Sequence, residues 1–450
     1  MLRTVRVIFV LLAAAAAAAA RVAAEPENAA AQAGQTLLAV RAGRLIDPKA
    51  GTVVPNAVIV VESGKVKAVG ASAAIPAGAT VIDLSGLTVL PGLIDCHTHL
   101  VGDYVNDSDP LTELKESAAS RAFESIPNAR VTLEAGFTTV RDVGTYRAFV
   151  DVAMRDAIAK GYFAGPRMFV AGAYLTITGG GGAMSGDLAP DIGLPWDLRF
   201  GVADGVDQVR QRVRDIAQHG VDVIKVLATG AFLTHGSDPH AVEYTYDEMR
   251  AAVEEAGHKG LKVAAHAHSA DGIKIAVRAG VASIEHGTYL DDEGIHMMKE
   301  RGTYLVADIY DAEWIRQGAK TGYPEDFATK QPEGDEIQRQ AFRKAAKAGV
   351  KIAFGTDASV YPHGLNARQF AWQVKYGQTP MEAIRSATTS AADLIGRDPD
   401  IGAIAPGKRA DLIAVAGDPL ADVSVLEKVA FVMKDGVVYK SPPTEAAPAR

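Results

Sequence analysis

His97 and His99 stand two residues apart in Asp95-Cys96-His97-Thr98-His99, and His266-Ala267-His268 repeats the spacing. On an extended strand alternate side chains share a face, so each pair would aim two imidazoles in one direction. Three more ionisable residues lie in or at the ends of apolar, β-type stretches. They are Lys225 in Val223-Ile224-Lys225-Val226-Leu227, His286 in Glu285-His286-Gly287, and Asp357 in Gly355-Thr356-Asp357. Neutral imidazoles and a carboxylate are the donors that zinc and related cations prefer. Each residue alone has a bland reading. A strand-end His is a satisfied polar group, a Lys in an apolar strand pairs with a buried acid, and Asp357 caps the helix after it. Jointly those readings fail, because all these residues fall on strand ends in one register, and the set reads as a metal site. Cys96, out of phase with the histidines, faces away from them and reads as a small buried hydrophobe. Asp142, in Arg141-Asp142-Val143-Gly144, reads as structural.

The elements that must position these residues alternate along the chain. Apolar, β-branched runs at 89–95, 138–143, 167–173, 221–227, 263–266, 282–285, 304–309 and 352–355 make eight strands. The spacers between them include helical periodicity, as at 206–218 and 246–258, and two further helices follow at 366–376 and 380–395. Eight buried strands alternating with helices predict an α/β fold, a (β/α)8 TIM barrel with its chemistry at the carboxyl ends of the strands. Shorter β-type runs precede it (37–40, 57–61, 65–69, 80–83) and return after it (411–415, 429–440). These predict a small β-sandwich domain assembled from both chain ends, 36–88 with 401–445, around a barrel of 89–400.

Composition bounds the rest. The 450 residues are 48% apolar with a single Cys, so an internal disulfide is excluded and a large core is supported. A net charge of −8 offers no footprint for nucleic acid. Residues 1–24 begin with Arg3 and Arg6, continue as an apolar Ala-rich run and end Val22-Ala23-Ala24. This is the pattern of a signal peptide cleaved near Ala24, and it predicts a secreted or periplasmic protein. Residues 25–35 read as a flexible lead-in. No later stretch is apolar and long enough to span a bilayer, so no membrane role is expected.

Pro91-Gly92-Leu93-Ile94-Asp95-Cys96-His97-Thr98-His99 resembles the signature of the amidohydrolase superfamily. Ser283-Ile284-Glu285-His286-Gly287, Gly355-Thr356-Asp357 and Pro406-Gly407-Lys408-Arg409-Ala410-Asp411-Leu412 extend the resemblance over nearly the whole chain after the leader. Ile224-Lys225 and Val263-Ala264-Ala265-His266-Ala267-His268 are similar to one branch in particular. That branch holds exported Xaa-Pro and Xaa-Arg/Lys dipeptidases and ochratoxin-degrading amidohydrolases. The resemblance implies two divalent metal ions, zinc foremost. His97 and His99 would hold the more buried ion and His266 and His286 the more exposed one, with Lys225 bridging both as a carbamate. Asp357 would be ligand and proton shuttle. It further implies a homo-oligomer, octamers being found among relatives.

The chemistry agrees with the residue types. A lysine ammonium cannot ligate a cation, whereas its carbamate offers two oxygens. Two ions about 3.5–4 Å apart can hold a bridging hydroxide at neutral pH, which would attack the scissile carbonyl. Asp357 would take its proton and return it to the departing amine. His268 shares a face with His266 and would either donate to the developing oxyanion or support a ligand from behind. The expected substrate is a small molecule, a dipeptide or N-acyl amino acid. A cyclic amide or lactone, as in imidazolonepropionases, is the alternative for the same machinery. A mononuclear deaminase would leave Lys225 without a role. A silent scaffold on this fold would have lost ligands, and all six are present.

Substrate contacts are expected just beyond strand ends, at Tyr174, His235, Tyr310 and His363, and at Gly180 and Gly181 of the run Gly179–Gly182. Members of the branch often carry a His in that turn, and this chain has none. The glycines would either turn backbone N–H groups toward an anion or make a flexible lid.

Overall fold

The computed structural model describes residues 37–102, 112–184, 188–189, 191–318 and 325–442; the leader, the lead-in and residues 443–445 of the C-terminal β region lie outside them. The chain opens with β1 (Leu37–Asp47), β2 (Thr52–Glu62), β3 (Lys65–Gly70) and β4 (Thr80–Pro91). Across Gly92 it enters eight parallel strands, β5 (Leu93–Thr98), β6 (Phe137–Asp142), β7 (Arg167–Val170), β8 (Tyr174–Leu175), β9 (Val223–Leu227), β10 (Lys262–Ala267), β11 (Ser283–His286) and β12 (Tyr304–Val306). It closes with β13 (Leu412–Val415), β14 (Val429–Lys434) and β15 (Val437–Lys440). The molecule is α/β with one mixed sheet and two parallel ones.

The strand limits correct the sequence reading in three places. The expected first parallel strand at 89–95 is shared between two elements. Val89 and Leu90 finish β4, opposite Leu45 of β1 and Ile413 of β13, and the new strand starts only at Leu93. Gly92 permits the change because a Cβ there would collide with Thr138. The expected third strand at 167–173 stops at Val170, and β8 begins only at Tyr174, beyond Gly172 with its φ of +78°. The expected eighth, 352–355, is no regular strand. It makes a single bridge, Ile352 to Leu305, before the chain turns through Asp357 at φ +54°.

The parallel strands lie in sheets of order β5-β6-β7 and β12-β11-β10-β9-β8. Backbone hydrogen bonds cross the intervals between them. Asp222 N–H donates to Val170 O on one side, and on the other Leu305 N–H donates to Lys351 O and Cys96 N–H to Phe354 O. Helices follow the strands as expected, with Val206–Ala217 and Tyr246–Gly257 ending within a residue or so of the predicted limits. The predicted helix 380–395 is Pro380–Arg385 and Ala391–Leu394, joined by a π turn at Ser386–Ser390.

Both chain ends contribute to one seven-stranded sheet, β15-β14-β13-β4-β1-β2-β3. The strands expected as a sandwich are hydrogen-bonded as one continuous sheet. β4 hydrogen-bonds β1 on one edge and β13 on the other, so the N- and C-terminal strands lie side by side at this join. The β3 edge also meets the segment leading into β13, where Val66 N–H donates to Lys408 O and Gly407 N–H to Val66 O. Val40, Ile59, Val61, Leu412, Phe431 and Met433 from both ends consequently share one apolar core.

Candidate metal centre

The ionisable residues singled out above converge on a cavity of about 110 Å3 at the carboxyl ends of the parallel strands. His97, His99, Lys225, His266, His268, His286 and Asp357 all line it. Ring centroids of His97 and His286 are 4.9 Å apart, those of His266 and His286 4.5 Å, and those of His268 and His286 4.8 Å. Ligand-type atoms of His97, His286 and Asp357 lie within 4.8 Å of one another, as do those of His266, His268 and His286. His268 therefore stands as close to the set as a ligand would. Cys96 is buried among Ile94, Val306 and Ala391, on the side away from the cavity, and burial pushes its thiol up to about 12.

Hydrogen bonds fix which ring nitrogen His97, His99 and His286 turn inward. His99 Nδ1 lies 2.8 Å from Gly144 O, a carbonyl that only accepts, so Nδ1 carries the proton. His97 Nδ1 lies 2.9 Å from Glu285 Oε2, and His286 Nδ1 2.7 Å from Asp308 Oδ2. Each Nε2 is thereby left bare. Those of His97 and His286 are buried without a hydrogen-bond partner. Asp357 Oδ1 is 3.3 Å from both His97 Nε2 and His99 Nε2. Lone pairs facing a carboxylate oxygen repel unless a cation lies among them, so these residues fit a metal ion. Burial opposes the charge of Asp357, and a cation shared with His97 and His99, proton or metal, is what holds its carboxyl well below the usual range. Burial also drives His266 and His268 well below the ordinary imidazole value, which keeps them neutral.

Lys225 is 2% exposed and makes no hydrogen bond or ion pair among the described residues. Burial brings its amine down to about 8. An unpaired ammonium in this position is costly, and a neutral amine is the form that can take up carbon dioxide.

The local backbone serves this arrangement. His286 has φ +67° and Asp357 φ +54°, left-handed conformations that non-glycine residues adopt at a cost. At His286 the turn lets consecutive side chains, Glu285 and His286, both reach His97. Gly355 makes room for His97, since a Cβ there would lie 3.0 Å from that of His97 and 2.3 Å from Val306. Asp142 Oδ2 accepts from Leu100 N–H at 2.6 Å and so fixes the turn after His99.

The expected substrate contacts divide. Tyr174 and Gly181 line the cavity, and the Tyr174 hydroxyl donates to Gly144 O at 3.1 Å beside His99. Gly180, His235, Tyr310 and His363 do not line it. His235 is exposed, Tyr310 is packed against Tyr361 with its hydroxyl accepting from Arg368, and His363 Nε2 is bonded to Gly102 O. The glycine turn offers no nest for an anion. Gly180 N–H donates to Ile177 O, Gly181 N–H to Glu243 Oε1, Gly182 N–H to Thr176 Oγ1 and Ala183 N–H to Gly180 O.

Sequence reasoning passed over part of the cavity wall. Tyr146, Phe232, Thr288, Asp308, Asp311 and Gln338 all line it. Asp308 lay in an apolar run, the same signal that marked Lys225. Glu285 and Arg141, charged and fully within strands, carried that signal too. Phe232 and Gln338 sit in loop and helix contexts without any local mark.

The signature of the Amidohydrolase family matches residues 88–439. The ochratoxinase of Aspergillus niger is 33% identical over 422 residues, 90% of this chain and 86% of that protein. A solved Xaa-Pro dipeptidase with methionine bound in its active site is 38% identical, with TM-score 0.85, over 90% of this chain and 100% of that one. A prolidase solved with N-methylphosphonate-L-proline is 30% identical, with TM-score 0.83, over 90% and 100%. The match spans the strands that carry the histidines, the lysine and the aspartate, and the chain belongs to the Amidohydrolase family, in its branch of Xaa-Pro dipeptidases and ochratoxinases, as a hydrolase acting on amide bonds.

Proposed function

We propose that the chain is a binuclear metal-dependent hydrolase that cleaves the amide bond of a dipeptide or N-acyl amino acid. The observation that carries this reading is the convergence of the bare Nε2 atoms of His97 and His99 on Asp357 Oδ1, beside the unpaired Lys225. His97, His99, His266, His286 and Asp357, with Lys225 as a carbamate, would hold two divalent ions, zinc first among them. Such ions acidify a water and polarise the scissile carbonyl.

The chain's own residues then do the following. Asp357, ionised at neutral pH, accepts the proton of the attacking water and passes it to the nitrogen of the departing amine. His268, with Nδ1 engaged by Thr288 Oγ1 at 2.8 Å, turns Nε2 toward the cavity, where its N–H donates to the oxygen that gains charge. Phe232 packs against His268 at 4.7 Å between centroids and keeps that side of the cavity apolar. The likeness to a Xaa-Pro dipeptidase and to an ochratoxinase supports an amide whose leaving group is an amino acid.

The same reading includes a closed (β/α)8 barrel over 89–400, supported by the hydrogen bonds at both sheet intervals. It includes the composite β domain of 36–88 and 401–445, export after cleavage near Ala24, and assembly into a homo-oligomer. Elemental analysis of the purified protein, with a screen of Xaa-Pro dipeptides and N-acyl amino acids, tests the central claim. About two divalent ions per chain and metal-dependent release of an amino acid are expected. A protein that takes up no metal, or hydrolyses none of these amides when loaded, would overturn it.

A further inference from the structure

Behind His97 lies a charged group that the proposed chemistry does not use. Glu285 on β11 is 0% exposed, and its Oε2 accepts from His97 Nδ1 at 2.9 Å. Arg141 on β6, itself buried, donates through Nη2 to both Glu285 oxygens at 2.8 and 2.9 Å. The same guanidinium donates through Nη1 to Ser283 Oγ at 3.0 Å and through Nε to Cys96 O at 2.6 Å, the carbonyl of the peptide that leads into His97. Three strands, β5, β6 and β11, are thus tied together by one pair of charges.

A buried ion pair is a poor way to stabilise a core. Apolar residues of similar volume do as well or better, because both charges lose their hydration. The pair at Arg141 and Glu285 therefore calls for a reason other than stability, and its geometry supplies one. A carboxylate only accepts, so Glu285 places the His97 proton on Nδ1 and leaves the Nε2 lone pair facing Asp357 and the cavity. The negative charge behind the ring also makes Nε2 a stronger donor to a cation. Arg141 keeps Glu285 charged and aligned, and through Cys96 O it sets the peptide that carries His97.

We infer that Glu285 and Arg141 are positioning residues for metal binding, acting through His97: Glu285 fixes its tautomer and strengthens Nε2 as a ligand, and Arg141 holds Glu285 and the His97 peptide in register. This rests on the metal-centre reading above. Among the ligands of the proposed centre His99 relies on the neutral Gly144 carbonyl for the same service and His286 on the Asp308 carboxylate, whereas at His97 the carboxylate is itself paired with a buried arginine.

Zinc affinity of the metal-stripped protein, measured by competition with a chelating indicator, separates the possibilities. Glu285→Gln keeps the shape and removes the charge; it should weaken binding of the ion held by His97 by about 10–100-fold. Glu285→Asp, which keeps charge but shortens reach, should recover part of that loss. His97→Asn serves as the reference. If His97→Asn binds zinc as the parent does, the metal-centre reading itself fails. If His97→Asn loses an ion while Glu285→Gln keeps parental affinity, the inference fails and the metal centre stands. Should Glu285→Gln not fold, 15N spectroscopy of the histidine-labelled, metal-free parent decides. A His97 resonance protonated at Nδ1 and bare at Nε2 is expected, and the opposite tautomer would overturn the inference.

Discussion

Asp357 occupies an unusual position among carboxylates, with one oxygen 3.3 Å from the Nε2 atoms of two imidazoles, in a left-handed backbone conformation, on the wall of the cavity. Its proposed task is proton transfer, which in comparable sites contributes about 10²–10⁴-fold to rate. Asp357→Asn should accordingly lower kcat by about that factor while KM for an amide substrate changes little; steady-state kinetics of the metal-loaded variant checks this. At this scale the sequence was informative wherever a charged or imidazole side chain interrupted an apolar strand. The seven residues marked that way, from His97 to Asp357, all reach one cavity. Glu285 and Arg141 bore the same mark, but period-two alternation assigns Glu285 and His286 to opposite faces. Only the backbone turn at His286 brings both to His97, and a positive φ at a non-glycine residue leaves no trace in composition.

Among the elements, the glycine turn behaves differently from either expectation. Its amides are taken up by hydrogen bonds within the turn and to its neighbours, and a half-buried glutamate is one of the acceptors. Glu243 Oε1 lies 2.6 Å from Gly181 N–H, and burial raises its carboxyl from 4.5 to about 8. The folded chain thus keeps a proton that the unfolded chain has released. The stability this group confers is full below pH 4.5, falls as pH rises, and is gone above about 8. Glu243→Gln should flatten the stability profile between those limits, leaving the variant relatively more stable at the alkaline end. Urea midpoints taken at about pH 5 and about pH 9 would reveal the change, and parallel slopes for parent and variant would contradict it. Strand existence was legible for most elements, since buried parallel strands read as continuous apolar runs. Their limits were less so. The breaks at Gly92 and Gly172 reflect close contacts with Thr138 and with Phe149 and Val221, neighbours distant in the chain.

Over the whole molecule, the composite sheet is fastened to the parallel strands by charge as well as by apolar packing. Arg167, at the start of β7, lies 2.7 Å from Asp411 and 2.8 Å from Asp435. Arg409 also reaches Asp435, so loss of Arg167 would leave Asp411, which is 5% exposed, with the Asp435 N–H as a donor but without its ion pair. Arg167→Ala should destabilise the protein by about 3 kcal/mol, the low end for breaking a buried pair because the arginine retains some contact with solvent. Equilibrium denaturation in urea measures it, and a change within about 0.5 kcal/mol, the range of ordinary surface substitutions, would contradict it. The joining of both chain ends was legible from the β-type runs that flank the helical alternation. Their arrangement as one sheet was not, because strand periodicity says which face is buried and nothing about which strand lies alongside.

That shared sheet also sets an order of events during synthesis. β4 needs β13 as its neighbour, with Pro91 opposite Leu412, so its second edge cannot be covered until the end of the chain has left the ribosome. At about 5–20 residues per second the wait is on the order of tens of seconds. Throughout it, Val89 and Leu90, both 0% exposed in the finished fold, belong to an open strand edge of the kind that recruits other chains. The nascent protein is therefore open to aggregation at the strand that leads directly into His97 and His99.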